Sequence, residues 1–134
     1  MNATESQPVH ILLVEDETML CEFMAESLRE SGFDVHAVCD GNAGLDVLQG
    51  DKPVDLLLSD VRLPGHNGYE LAETGKALRP ELKVVLMTGY APTMPPELTH
   101  IVHRVLQKPF KIDSLPGVIT AALAERGGVA RLTG

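Results

Sequence analysis

Five polar residues, far apart along the chain, have types that work together in phosphorus chemistry: Glu15, Asp16, Asp60, Thr88 and Lys108. Three carboxylates do not crowd together without a cation. Mg²⁺ suits such a set, because it prefers oxygen ligands, uses one or two carboxylates and completes its octahedron with waters and phosphate oxygens. A carboxylate can also attack phosphorus and become an aspartyl phosphate. That transfer requires the metal, a lysine and a hydroxyl donor around the moving PO₃ group. Each residue also has a plainer reading. Glu15 and Asp16 can cap a helix, and Asp60, shortly before Pro64-Gly65, can form a turn. Thr88 can be a cap or turn hydroxyl, and Lys108 a solvated cation. Only the combination favours chemistry, and only if the fold brings the five together.

The elements that would do so are legible as apolar runs. "HILLV" (10–14), "VDLLLS" (54–59) and "KVVLM" (83–87) are nearly continuous, as in strands covered on both faces. "RVL" (104–106) is shorter, and "DVHAV" (34–38) alternates, which suits an edge strand. Between them lie helical patterns. Met19, Leu20, Phe23, Met24 and Leu28 mark 17–31, and Ser31-Gly32 closes it. Further helices are expected over 42–49, 68–78 and about 114–126. Met19, Met24 and Phe23 read as core. Strand and helix alternate five times, which predicts a doubly wound parallel sheet with helices on both faces. Five such strands commonly take the flavodoxin-like order 2-1-3-4-5, with ligands at the carboxyl ends of the strands beside the switch point. Glu15 and Asp16 follow the first strand, Asp60 the third, Thr88 the fourth and Lys108 the fifth.

Composition agrees with one folded domain. The chain has 134 residues, 44% of them hydrophobic, and a formal charge of −8, which argues against a nucleic-acid backbone as partner. No apolar stretch reaches the roughly eighteen residues of a spanning helix, so no membrane partner is expected. "MNATESQPVH" lacks a signal-peptide layout. The two cysteines, Cys21 and Cys39, form no framework and suit a reducing cytoplasm, the expected location. Residues 1–8 and 127–134 read as flexible ends around a domain over 9–126.

Four ordered motifs, "LLVEDE" (12–17), "LLLSDVRLPGHNG" (56–68), "VVLMTGY" (84–90) and "VLQKPF" (105–110), give more. Across 9–126 the chain resembles the receiver domain of two-component response regulators. The resemblance implies that Asp60 accepts a phosphoryl group from a histidine kinase or histidine phosphotransfer protein, for onward signalling to a downstream protein. It implies Mg²⁺, with Mn²⁺ as substitute, on Asp16, Asp60 and the Arg62 backbone carbonyl, and on Glu15 through a water. Thr88 and Lys108 would contact the phosphoryl oxygens, and the Lys108–Pro109 bond would be cis. Such a domain is not an enzyme beyond its own phosphorylation and dephosphorylation. It stands alone as a regulator or serves as the receiver of a hybrid kinase. Rival readings are a Mg²⁺-dependent small-molecule phosphohydrolase, which needs a leaving-group pocket, and a docking module that is never phosphorylated.

The sequence departs from the family pattern in three respects. Val105 stands where an aromatic usually swings inward on phosphorylation. Prolines 92, 95 and 96 delay the fourth helix to Pro95 or Pro96 and limit it to about two turns. Arg62 and Tyr90 are large residues flanking the phosphoryl position, while Gly89 leaves it room. The remaining polar residues read blandly. Asp40, Asp46, Asp51, Asp55 and Asp113 are expected to cap helices or face solvent, and His66 to be a loop residue. His100 and His103 have helical i, i+3 spacing but are not expected to hold a metal.

Overall fold

The near-continuous apolar runs form strands buried on both faces. The computed structural model describes residues 8–89, 95–125 and 132–133. The first half runs β1 (His10–Val14), α1 (Thr18–Glu30), β2 (Asp34–Val38), α2 (Gly41–Gln49), β3 (Leu56–Asp60) and α3 (Gly68–Leu78). It continues through β4 (Lys83–Thr88), β5 (Arg104–Gln107), α4 (Leu115–Ala124) and β6 (Leu132–Thr133). The described strands pair in parallel in the order β2-β1-β3-β4-β5-β6, so the first five take the expected 2-1-3-4-5 arrangement. The sixth strand is an addition. Leu132 and Thr133, within the segment read as a loose end, pair with Val105 and Leu106. An outer strand has main-chain groups that need partners, and this short segment supplies them.

Alternate residues of β1, β3 and β4 feed two cores. Leu13, Leu58 and Met87 pack under α1 and α4, while Leu12, Leu57 and Leu86 pack under α2 and α3. Leu12, Leu13, Leu57 and Leu58 are fully buried, each contributing about 1.5–3 kcal/mol relative to exposure. The strand ends that carry the polar residues are therefore fixed by the least deformable part of the molecule.

α1 corrects one expectation. Its buried stripe is Cys21, Met24, Ala25 and Leu28, the i, i+3, i+4, i+7 set of a single helix face. Met24 is core as expected, but Met19 is 64% and Phe23 52% exposed. They occupy the neighbouring stripe, which points outward. Large apolar side chains suggested the wrong stripe because the smaller Cys21 and Ala25 define the right one.

The fourth crossover is more reduced than its prolines predict. Among the described residues it holds only a 3₁₀ turn, Pro96–Leu98, instead of two helical turns. Leu98 N–H donates to Pro95 O, and Thr99 N–H and hydroxyl both donate to Pro96 O. These short-range bonds close the segment before an α-helix develops. The histidine spacing also fails to be helical. His100 is exposed, whereas His103 is buried just before β5, where its Nδ1 accepts Val84 N–H at 3.2 Å. Burial, then the nearby Lys83 and Lys76, push the His103 pKa down. Tyr90 and Pro92 lie outside the described residues, as do residues 1–7.

Candidate functional site

Register delivers the carboxylates to one place. Val14 at the end of β1 pairs with Ser59, so Glu15 and Asp60 come next on adjacent parallel strands. Asp60 pairs in turn with Met87 of β4, placing Thr88 one step further on. Thr88 pairs with Gln107, and its carbonyl accepts Lys108 N–H at 2.8 Å. The Lys108–Pro109 bond is cis.

The side chains converge accordingly. Lys108 Nζ donates to Glu15 Oε1 at 2.7 Å and to Asp60 Oδ2 at 2.8 Å. Glu15 is fully buried and Asp60 nearly so, whereas Asp16 faces solvent. Carboxylate oxygens of Glu15, Asp16 and Asp60 all lie within 4.8 Å of one another. Three acids thus share a space with one ammonium at its inner side, and the donor set is entirely oxygen. That composition fits a hard divalent cation such as Mg²⁺.

Burial pushes the Glu15 pKa up, and the Asp60 charge adds to this. Hydrogen bonds from Lys108 and from Glu17 N–H oppose the rise without cancelling it. For Lys108 burial acts downward, but its bonds to Asp60 and Glu15 win, and its pKa rises. The capping reading of Glu15 is partly right, because Oε2 accepts Glu17 N–H at 2.9 Å while Oε1 holds the lysine. Asp60 ends its strand with its side chain on Lys108 rather than in a turn.

Arg62 shares a cleft with Asp16, Pro64, Asn67 and Tyr69. The bland residues are mostly as expected. Asp40 caps α2 by accepting Ala43 N–H, Asp55 accepts His10 N–H, and Asp46, Asp51 and Asp113 are exposed. His66 is a half-exposed loop residue 3.9 Å from Glu70. Sequence reading missed Asn67 and Glu70, which form a reciprocal capping box at the start of α3. The N-x-x-E spacing before Leu71 and Ala72 was the signal. It also missed Gly68, where an added Cβ would stand 2.4 Å from the Asp60 carbonyl oxygen.

A parallel 2-1-3-4-5 core with clustered acids, a hydroxyl and a lysine at its carboxyl edge matches one family model. The response regulator receiver domain matches residues 11–120, and the chain belongs to that family. It is 32% identical over 115 residues to the response regulator receiver protein CpdR of Brucella abortus, covering 84% of this chain and 95% of that one. It is 31% identical over 89 residues to the probable transcriptional regulatory protein TcrX of Mycobacterium tuberculosis, covering 66% of this chain but 38% of that longer one. A CheY-like receiver domain from Methanospirillum hungatei superposes with a TM-score of 0.79 at 28% identity, over 87% of this chain and 94% of the other. The chain is thus a receiver domain of two-component signalling. No helix among the described residues is long and apolar enough to cross a membrane.

Proposed function

We propose that Asp60 is the phosphoacceptor of this receiver and takes its phosphoryl group from a phosphohistidine on a kinase or phosphotransfer protein. The observation that carries the reading is the Lys108 ammonium bridging Glu15 and Asp60, with Asp16 alongside. An Asp60 oxygen forms the bond to phosphorus as the phosphorus–nitrogen bond breaks. The imidazole leaves with the electron pair and gains a proton. Lys108, already on Asp60, follows the charge that develops on the phosphoryl oxygens, and the Thr88 hydroxyl, at the end of the adjoining strand, serves a further oxygen. Asp16, Asp60 and the Arg62 carbonyl would hold Mg²⁺ or Mn²⁺ directly, with Glu15 acting through a water. When bound, the cation neutralises the acids and the incoming phosphoryl charge.

In this reading the module spans 9–126, catalyses only its own phosphorylation and dephosphorylation, and works in the cytoplasm. The two free thiols support that location. The exposed Met19 and Phe23 on α1 support a protein partner on that face. A downstream protein target completes the signal.

Labelling with acetyl phosphate tests the assignment. Asp60→Asn preserves the shape but lacks the nucleophile, so the label should fall at least a hundredfold, and EDTA should abolish it in the unaltered protein. Full labelling of Asp60→Asn would overturn the reading.

A further inference from the structure

The loop leaving Asp60 is held from three sides. Val61 N–H donates to Met87 O of β4 at 2.9 Å, and Gly68 N–H at the start of α3 donates to Val61 O at 2.9 Å. The third hold comes from a helix that carries none of the five polar residues. Gly41, the first residue of α2, donates its N–H to Pro64 O at 2.9 Å. An added Cβ at Gly41 would stand 1.7 Å from His66 O. Gly32 and Gly65 are the described glycines with positive φ, so Gly41 is required by space rather than by backbone conformation. Asp40, capping the same helix through Ala43 N–H, fixes the height at which α2 meets the loop. Asn42 continues the contact, its Oδ1 lying 2.9 Å from where a Gly65 Cβ would be.

We propose that Gly41 is a positioning residue: by seating the first turn of α2 directly on Pro64–His66, it sets where the loop after Asp60 holds the Arg62 carbonyl, and so governs divalent-cation affinity. The inference rests on the reading that Mg²⁺ binds at Asp16, Asp60 and Arg62. Magnitudes make it sharp. Real Cβ contacts essentially never fall under 3.0 Å, so a methyl at position 41 must drive the loop or the helix back by more than about 1 Å. Mg²⁺ demands near-ideal octahedral geometry at about 2.0–2.1 Å, and a displacement that large is half of a metal–ligand bond. Lys108, Glu15 and Asp60 are held by other elements and stay where they are.

The test is direct Mg²⁺ titration of the full chain, with Gly75→Ala as a matched control. A Cβ at Gly75, in the second half of α3, would sit 2.7 Å from Cδ2 of Leu82, a side-chain tip rather than backbone. Gly41→Ala should bind Mg²⁺ at least tenfold more weakly, and Gly75→Ala should stay within twofold of the unaltered protein. Binding and positioning are reciprocal, so Mg²⁺ should also slow amide exchange at Gly41 in the unaltered protein. The Asp34 amide, bonded to Val9 O at the other end of the sheet, should be unaffected. This second measurement decides the matter if Gly41→Ala does not fold. Unchanged affinity in folded Gly41→Ala, equal weakening in both variants, or no slowing at Gly41 would overturn the inference while leaving the metal reading intact. Absence of Mg²⁺ binding by the unaltered protein would overturn both.

Discussion

The two sides of the site are built to different standards. On the side of β1 and β3, the polar residues stand at the ends of strands buried over 11–14 and 56–60, and the loop after Asp60 is hydrogen-bonded to β4, α2 and α3. On the side of β4 and β5, Thr88 leads into a crossover whose described part is one 3₁₀ turn. Val105, at the position of the family's moving aromatic, is buried beneath it with Leu98 and Val102. The difference separates two demands. In the proposed reading, metal and nucleophile need fixed geometry, whereas the crossover needs only to close over the sheet. A valine packed under a short turn has no large ring to swing, so little transmission of a change at Thr88 is expected through this side.

Stability provides the harshest comparison. Leu58→Ala in β3 should cost about 3–4 kcal/mol, as for a large cavity in a rigid core, and Leu98→Ala within the 3₁₀ turn about 1–2 kcal/mol, because that segment can collapse onto the gap. Urea midpoints at constant slope measure both. Equal losses would show that the crossover is as rigid as the carboxylate side.

A smaller effect should appear with pH. The Glu15 pKa is raised by burial, so between the ordinary value and the raised one the folded protein holds more of a proton there than the unfolded chain does. The metal-free protein therefore loses stability as pH climbs from the ordinary value of 4.5 through the raised one. Mg²⁺ favours the ionised carboxylate, so its affinity should rise with pH across the same window. Glu15→Gln should bind more weakly but with a flatter profile, seen by titration at several pH values. An identical profile in both proteins would place the proton release elsewhere.

The smallest expected response is the signal itself. Beryllofluoride with Mg²⁺ should shift the amides of Asp60, Thr88 and Gly89 strongly and those of 95–103 only slightly. Large cooperative shifts throughout 95–103 would erase the contrast between the two sides.

Much of this was legible in the chain. Runs such as Leu56–Leu58 mark buried strands because burial on both faces leaves no room for alternation, and parallel topology then stacks their polar ends. Other features depend on contacts the local pattern does not encode. Met19 and Phe23 look like core because hydrophobicity alone does not say which of two adjacent stripes faces the sheet. Prolines 95 and 96 announce a late, short helix, but its reduction to a 3₁₀ turn depends on bonds back to their own carbonyls. Gly41 reads as an ordinary residue after a cap, since its neighbour His66 lies far away in sequence.

The sixth strand bears on how this molecule meets its own copies. Open sheet edges template edge-to-edge pairing. At one margin Val105 and Leu106 already have partners in Leu132 and Thr133, so the open edge there is a strand of only 2 residues, too short to template a long pairing. At the other margin β2 presents the exposed Asp34, 3.4 Å from His10 Nδ1, and a newcomer there must pass an acidic side chain. One margin is blunted by the brevity of its last strand, and the other by an acidic side chain.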